Sequence, residues 1–110
     1  MVTKKVWANN GFEMVAARYG RSLEHMPHAQ AGITHVDRDG ESYDLLISYT
    51  TPVAWVNNDG WYGCNGTYSV TTRKHIGAFA KEYGLTYYDF KTAFEGGIEI
   101  NRYTGEVRSL

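Results

Sequence analysis

The pattern of apolar and polar residues between positions 33 and 70 is typical of β-strands. Residues 33–36 and 43–50 are rich in β-branched and aromatic side chains, and residues 53–56 continue in the same way. Because proline has no backbone N–H, we expect Pro52 at a strand start, an edge or a bulge. The segment predicts a meander of three or four antiparallel strands.

Turn-forming residues separate these strands. The Asp-Arg-Asp-Gly sequence at 37–40 predicts a turn. The Asn-Asn-Asp-Gly sequence at 57–60 is the strongest hairpin signal in the chain. We expect a strand to resume at 61–62, a bulge or loop at 63–66, and extended backbone again at 67–70.

The period of the apolar residues changes after position 70 from that of a strand to that of a helix. Four of them recur on one helical face: Ile76, Phe79, Ala80 and Tyr83. This stripe predicts a main helix over about 72–83, and Gly84 is suited to end it. Residues 88–94 predict a second, shorter helix that ends at Gly96 and Gly97. Residues 98–107 alternate in polarity and predict a terminal strand or a small hairpin.

The first thirty residues leave two alternatives open. Four apolar residues have helical spacing: Phe12, Val15, Ala16 and Tyr19. They predict a short helix between Asn10 and Gly20, but residues 13–19 also fit an early strand. Residues 22–30 then form a loop or a helical turn that Pro27 interrupts.

These elements predict the α+β class for a single domain that spans residues 1–110. The expected architecture is a three- to five-stranded antiparallel sheet with one main helix and one or two shorter helices packed on one face. The chain has 110 residues and a mass of 12.4 kDa, which is enough for one modest core. Its net charge of −1 excludes a strongly basic nucleic-acid coat and an acidic DNA mimic.

The sequence contains neither of the usual signals for export or membrane insertion. No apolar stretch follows the lysines near the N-terminus, and the longest apolar run is only Leu45-Leu46-Ile47. The single cysteine, Cys64, favours a reducing compartment because it cannot form an internal disulfide. We therefore expect a cytoplasmic protein that does not interact with membranes.

A basic cluster at the predicted start of the main helix is the first candidate site. It consists of Thr71, Thr72, Arg73, Lys74 and His75. Cations oppose the positive end of the helix macrodipole, so their placement there needs another explanation. Threonine hydroxyls, free backbone N–H groups and basic side chains together are suited to a phosphate or a carboxylate. The alternative is that these cations pair with acids elsewhere in the chain.

Aromatic residues of the predicted sheet form the second candidate set: Tyr43, Tyr49, Trp55, Trp61, Tyr62 and Tyr68. Of these, we expect Trp61, Tyr62 and Tyr68 to bind a partner. Trp61 and Tyr62 are adjacent, so on a regular strand they face opposite sides of the sheet. At least one of them is then expected on the outer surface, where tryptophan and tyrosine are typical anchors of interfaces. The alternative is ordinary core packing.

Two further combinations give weaker chemical signals. His25, His28 and His35 lack a nearby set of cysteines or carboxylates that would complete a metal site, so we expect no metal and no cofactor. Cys64 with His75 would form a nucleophile and a base, but no third group in the sequence orients them. We therefore expect a protein that is not an enzyme.

Two segments of the chain resemble a group of small proteins encoded by bacteriophages and plasmids of Gram-positive bacteria. Residues 48–54 match the pattern S-Y-x-T-x-V-A, and residues 69–79 match S-x-T-T-x-K-H-I-x-x-F. The resemblance covers about residues 43–84. It implies a mobile-element accessory protein in the cytoplasm of a bacterial host, with Thr71, Thr72, Lys74 and His75 as its functional candidates.

By analogy with small phage proteins of this size, the resemblance implies binding to a host protein or a protein–nucleic acid complex. Inhibition of a bacterial defence system, of the anti-CRISPR type, is the expected outcome. The alternative function is a nucleic-acid- or phosphate-binding domain that uses the basic helix start at 71–75. Unpaired strand edges also make a homodimer possible.

Overall fold

The computed structural model describes residues 19–38, 40–66 and 69–110, and these residues form an antiparallel sheet with two helices. The predicted α+β class is confirmed. The sheet, however, has seven strands rather than three to five, arranged in chain order. The strands are β1 Arg21–Ser22, β2 Ala31–Arg38, β3 Glu41–Ser48, β4 Thr51–Asn57, β5 Trp61–Cys64, β6 Ile98–Asn101 and β7 Val107–Ser109.

The extra strands come from pairings that no local pattern indicates. Strand β1 is only two residues long, which is too short to show a period, and it pairs with β2. The hairpin of β6 and β7 follows both helices in the chain, yet β6 returns to pair with β5 through Tyr62 and Ile100. The predicted terminal hairpin is therefore the far edge of the main sheet.

The β4–β5 hairpin is confirmed at the predicted position. The side chain of Asn57 accepts hydrogen bonds from the backbone N–H groups of Asp59 and Trp61, at 3.0 and 2.9 Å. Gly60 has a φ of 97°, which a residue without Cβ adopts most readily. Pro52 is the second residue of β4 and lies at an irregularity in its pairing with β3, as expected.

Two boundaries in this part of the sheet were predicted wrongly. The strand expected through residue 50 ends at Ser48, because a tight turn at Tyr49 and Thr50 contains no glycine or asparagine to indicate it. Gly63 belongs to β5 rather than to a loop. The indole of Trp55 lies over Gly63, so close that a Cβ there would be 2.5 Å from the ring. Packing of a neighbouring strand thus requires this glycine.

The two helices, α1 Val70–Lys81 and α2 Tyr87–Gly96, connect β5 to β6. Helix α1 begins two residues earlier than predicted because the hydroxyl of Ser69 accepts from the N–H of Thr72 and caps it. Val70 is therefore helical and not extended as expected, whereas Ser69 keeps the expected extended backbone, with φ −57° and ψ 164°. Helix α2 begins with a capping box between Thr86 and Asp89.

Buried apolar side chains line both faces of the sheet. On the helix side, residues such as Leu46, Val56 and Tyr62 pack against Phe79 and Phe90 from the helices. On the opposite side, a second cluster contains Val36, Tyr43, Leu45, Ile47 and Trp55. The helices thus pack on one face, as predicted. The helix or strand predicted at 10–20 lies almost entirely outside the described residues, and only Tyr19 and Gly20 fall within them.

Neither helix among the described residues has the length and apolar character needed to cross a membrane. The edge strands of the described sheet, β1 and β7, contain two and three residues. Such short edges offer few free backbone groups to a second copy of the chain.

Candidate functional site

The predicted basic cluster is divided between the two faces of α1. Thr72 and His75 point inward and are 6% and 2% exposed. The hydroxyl of Ser48, at the end of β3, lies 3.0 Å from the Thr72 hydroxyl and 2.8 Å from Nδ1 of His75. The structure therefore buries both side chains, which complete the packing of α1 against the sheet, instead of presenting them on the surface expected for partner binding.

Burial also defines the chemistry of His75. Removal from water disfavours the charged imidazolium and lowers the pKa of His75. The exposed ring of Tyr49 lies beside it, with 5.6 Å between the ring centroids. This neutral histidine serves as a hydrogen-bonding group in the interior.

Cys64 does not have the surroundings of a reactive nucleophile. It is 1% exposed, its thiol donates to the carbonyl oxygen of Gly66 at 3.0 Å, and burial raises its pKa to about 11. Its hydrogen bond goes to Gly66 and that of His75 goes to Ser48. The geometry therefore does not join the thiol to the imidazole.

The aromatic candidates also lie in different environments. Trp61 and Tyr62 face opposite sides of the sheet, as predicted, but Tyr62 is buried and packs against Phe90 with 5.0 Å between the ring centroids. The helices cover that side of the sheet, so Tyr62 is interior and does not lie on the surface expected for partner binding. Trp61 is half-buried beneath the guanidinium of Arg108, 4.3 Å above the ring. Tyr68 lies outside the described residues.

The remaining basic residues face outward together. Arg73 and Lys74 are exposed, and Lys81 continues the same surface two turns further along α1. None of the three forms an ion pair within residues 19–38, 40–66 and 69–110. Because α1 begins at Val70, Arg73 and Lys74 lie beyond the first three helical positions, where the macrodipole opposes cations less, and Lys81 lies in the last turn, where the macrodipole favours a cation. Thr71 is exposed beside them.

A groove follows the line where α1 meets the start of α2. One hollow, of about 360 Å³, lies between Lys74 and Lys81, and its lining includes Met26, Leu85 and Tyr87. A second hollow, of about 330 Å³, shares Lys74 and Tyr87 with the first. We call this continuous surface the α1–α2 groove. It is lined by His25, Met26, Val70, Arg73, Lys74, Gly77, Ala78, Lys81, Leu85, Thr86, Tyr87 and Tyr88.

The groove combines an apolar floor with a basic rim. Tyr88 is 71% exposed and meets Tyr87 edge to face, with 5.5 Å between the ring centroids. Sequence reasoning missed both tyrosines and Lys81, because α2 and the loop at 23–30 bring the groove together from separate parts of the chain. One local signal was available in the sequence. Tyr88 lies at the start of α2, outside the apolar stripe of Phe90 and Ala93 that packs in the core.

A smaller polar hollow of about 210 Å³ lies at the far end of the sheet, beside His35 and Asp44. His35 bridges Asp44 and Asp37 at 3.1 Å each, and the hydrogen bond to Asp44 raises the pKa of His35. Tyr83 donates to the other oxygen of Asp44 at 2.7 Å. His35, Asp44 and Tyr83 thus bond to one another, whereas Nε of Arg102, which also lines this hollow, is buried without a hydrogen-bond partner among the described residues.

His25, His28 and His35 do not come together as a metal site. His25 and His28 lie in the loop before β2, whereas His35 lies within β2 and is bonded to carboxylates. Within the described part of the chain, no group of three or more histidine, cysteine or acidic residues is arranged to hold a metal ion.

Comparison with known families places the chain in one of them. A family model described as a family of unknown function, DUF8033, matches residues 4–95. The match covers most of the chain, so the protein belongs to this family. No curated protein and no solved structure matches the chain significantly.

Proposed function

We propose that this protein is not an enzyme and acts by binding an acidic macromolecular partner through the α1–α2 groove. The observation that carries the proposal is the set of three outward-facing cations, Arg73, Lys74 and Lys81, next to an apolar hollow. An acidic partner would supply the countercharges that the described residues do not.

The composition of the groove supports a protein as the partner. Interfaces between proteins combine a desolvated apolar centre with a polar rim, and tyrosine is among their most frequent anchors. The floor at Met26 and Leu85, with exposed Tyr88 at one end, has this arrangement. The net charge of −1 also favours a local patch over a broad electrostatic attraction to nucleic acid.

The resemblance of residues 43–84 to proteins of mobile elements extends the proposal to a biological setting. In that setting the chain acts in the cytoplasm of a Gram-positive host, and its partner is a host protein or a protein–nucleic acid complex. Inhibition of a defence system, of the anti-CRISPR type, is the outcome we propose. The positions shared with that pattern contribute Lys74 to the groove.

Affinity capture with a charge-reversal variant tests this function. The immobilised wild-type chain is incubated with a lysate of a Gram-positive bacterium, beside the double variant Lys74→Glu/Lys81→Glu. The matched control is Lys91→Glu, an exposed-face lysine of α2 that lines neither hollow. We expect a partner that the wild type and the control retain and the double variant loses. Capture that is equal in all three, or absent from all, contradicts the proposal.

Single-stranded nucleic acid is the second candidate, and one observation favours it. Tyr87 and Tyr88 present aromatic surface beside Arg73 and Lys74, which is the combination that stacks bases and neutralises phosphates. A mobility-shift titration with a single-stranded oligonucleotide at two salt concentrations separates this function from the first. Affinity that falls steeply with salt and disappears in Tyr88→Ala supports it. No binding at the lower salt concentration eliminates it.

A further inference from the structure

The centre of α1 contains a glycine that the packing of the described residues does not require. Gly77 lies in the helix interior, where glycine is less favourable than alanine. A Cβ added there would meet only Cβ of Tyr87, at 4.0 Å, which is an ordinary contact. By contrast, a Cβ at Gly63 would meet an indole at 2.5 Å. The fold therefore explains Gly63 but not Gly77.

The position of Gly77 on the helix supplies a reason. It is three residues after Lys74 and four before Lys81, so these three residues follow one face of α1. That face lines the larger hollow of the α1–α2 groove. A missing side chain at its middle exposes the helix backbone, which allows another chain to approach closely.

The distance between Lys74 and Lys81 defines the spacing of the carboxylates that these two lysines would attract. Seven residues at a rise of 1.5 Å separate Lys74 from Lys81 by about 10.5 Å along the helix axis. An extended peptide covers that distance in about three residues at 3.3 Å each. Carboxylates three or four positions apart on such a peptide therefore match the two ammonium groups.

From these observations we propose that the α1–α2 groove binds an acidic peptide segment that runs along α1 and contacts it closely at Gly77. One apolar side chain of the segment enters the hollow between Met26 and Leu85. Acidic residues three or four positions apart, on either side of that apolar residue, pair with Lys74 and Lys81. This inference rests on the proposed function and names the chemical class of its partner.

The hollow favours a peptide over a nucleic acid strand. Its floor of Met26, Ala78 and Leu85 offers dispersion contacts to an aliphatic or aromatic side chain and few hydrogen-bonding groups to a base edge. The cations flank this apolar centre and do not form the continuous basic track that a phosphate backbone follows.

Selection from a displayed library of random nine-residue peptides tests the proposal, with the full-length chain as bait. We expect enrichment of sequences that carry acidic residues three or four positions apart around a leucine, isoleucine, phenylalanine or methionine. The same selection on Gly77→Leu, in which the hollow is filled, is expected to enrich none of them. No enrichment, enrichment of uncharged or basic sequences, or an identical motif on both baits overturns the inference.

A smaller substitution separates binding from folding. Gly77→Ala raises helix propensity, so its thermal midpoint is expected to increase by about 4 °C. Its affinity for a synthetic peptide of the selected sequence is expected to fall at least tenfold. The matched control is Thr92→Ala, an exposed position of α2 outside the groove, which changes helix propensity without changing the affinity. Unchanged peptide affinity in Gly77→Ala contradicts the inference.

A competition experiment distinguishes a peptide from a nucleic acid as the occupant of the groove. Comparison of the variants then separates failure of this inference from failure of the proposed function. Displacement of the peptide by a single-stranded oligonucleotide at equal concentration would assign the groove to nucleic acid and overturn the inference. If capture of the partner depends on Lys74 and Lys81 but not on Gly77, the proposed function holds and this inference fails. If neither the lysines nor Gly77 affect capture, both fail.

Discussion

The indole N–H of Trp55 donates a 2.7 Å hydrogen bond to Glu99, a carboxylate that is only 1% exposed. Arg108 donates to the other oxygen of that carboxylate at 2.8 Å. These contacts join β4, β6 and β7 on the sheet face opposite the helices. They connect the late hairpin to the centre of the sheet through a buried charge.

Removal of this carboxylate is expected to be costly. Glu99→Ala removes the buried carboxylate that accepts from the Trp55 indole and one of the two carboxylates that Arg108 contacts, so the free energy of unfolding should fall by about 3 kcal/mol. Because the Arg108 side chain is one-third exposed and water partly solvates it, we expect a loss of stability at the low end of the range for a broken buried ion pair. Urea denaturation measures the loss. Glu99→Gln, which keeps one acceptor, should lose less, and equal stability of both variants would contradict this role.

His75 and His35 are expected to affect stability in opposite directions with pH. The pKa of His75 is lowered by burial, so below about pH 6.5 the unfolded chain binds a proton that the folded chain does not. Its contribution to stability is therefore present above that pH and is lost as the pH falls. Chemical denaturation at pH 5.5 and 7.5 should show a smaller loss at the acidic pH in His75→Asn than in the wild type.

His35 has the opposite effect on the pH dependence of stability. Its hydrogen bond to Asp44 and the charge of Asp37 raise its pKa, so the folded chain holds a proton more tightly than the unfolded chain. That contribution is complete below about pH 6.5 and disappears as the pH rises through the folded-state value. His35→Asn should therefore make stability increase more steeply between pH 5.5 and 7.5. An unchanged slope would show that the two carboxylates do not stabilise the imidazolium.

Tyr49 adopts a backbone conformation that suits glycine. Its φ is +58° in the tight turn between β3 and β4, and it is the one described residue other than glycine with positive φ. This conformation costs a residue with Cβ about 1 kcal/mol. Tyr49→Gly should therefore be more stable than Tyr49→Ala by about that amount in thermal or urea unfolding. Both variants lose the ring contact with His75, so the comparison isolates the backbone, and equal stabilities would contradict it.

The thiol of Cys64 is expected to be inert in the folded protein. With its pKa raised to about 11, it is almost entirely protonated at pH 8, and 1% exposure limits access. A colourimetric disulfide reagent should react at that pH only after a denaturant is added. Cys64→Ala should retain partner capture. Rapid reaction of the native protein, or loss of capture in a folded variant, would restore Cys64 as a functional candidate.

Much of the local structure could be predicted because local interactions determine it. The hairpin at 57–60 depends on one asparagine side chain and one glycine, and the stripe at 76–83 depends on the helical period alone. The turn at Tyr49 was missed because it uses a residue that the turn chemistry disfavours. The inward orientation of Thr72 and His75 was missed because it depends on the cap at Ser69 and on a hydroxyl from β3.

The candidate site could be predicted only in part from the sequence. Of the residues predicted at 71–75, Arg73 and Lys74 line the groove and Thr71 is exposed outside it, and the sequence could not separate these three from the buried Thr72 and His75. The groove itself exists because α2 and the loop before β2 approach α1, and the contacts that determine this approach are far apart in the chain.

The sequence by itself determined the class of the fold, most of its turns and the amphipathic face of α1, since these follow from side-chain period and backbone preferences over a few residues. Only the tertiary structure decided that the described residues form seven strands of one sheet, that Tyr62 and His75 are interior, and that Lys74, Gly77 and Lys81 border one groove. Those features depend on burial of apolar surface between distant segments, which is a property of the whole chain and of no single stretch.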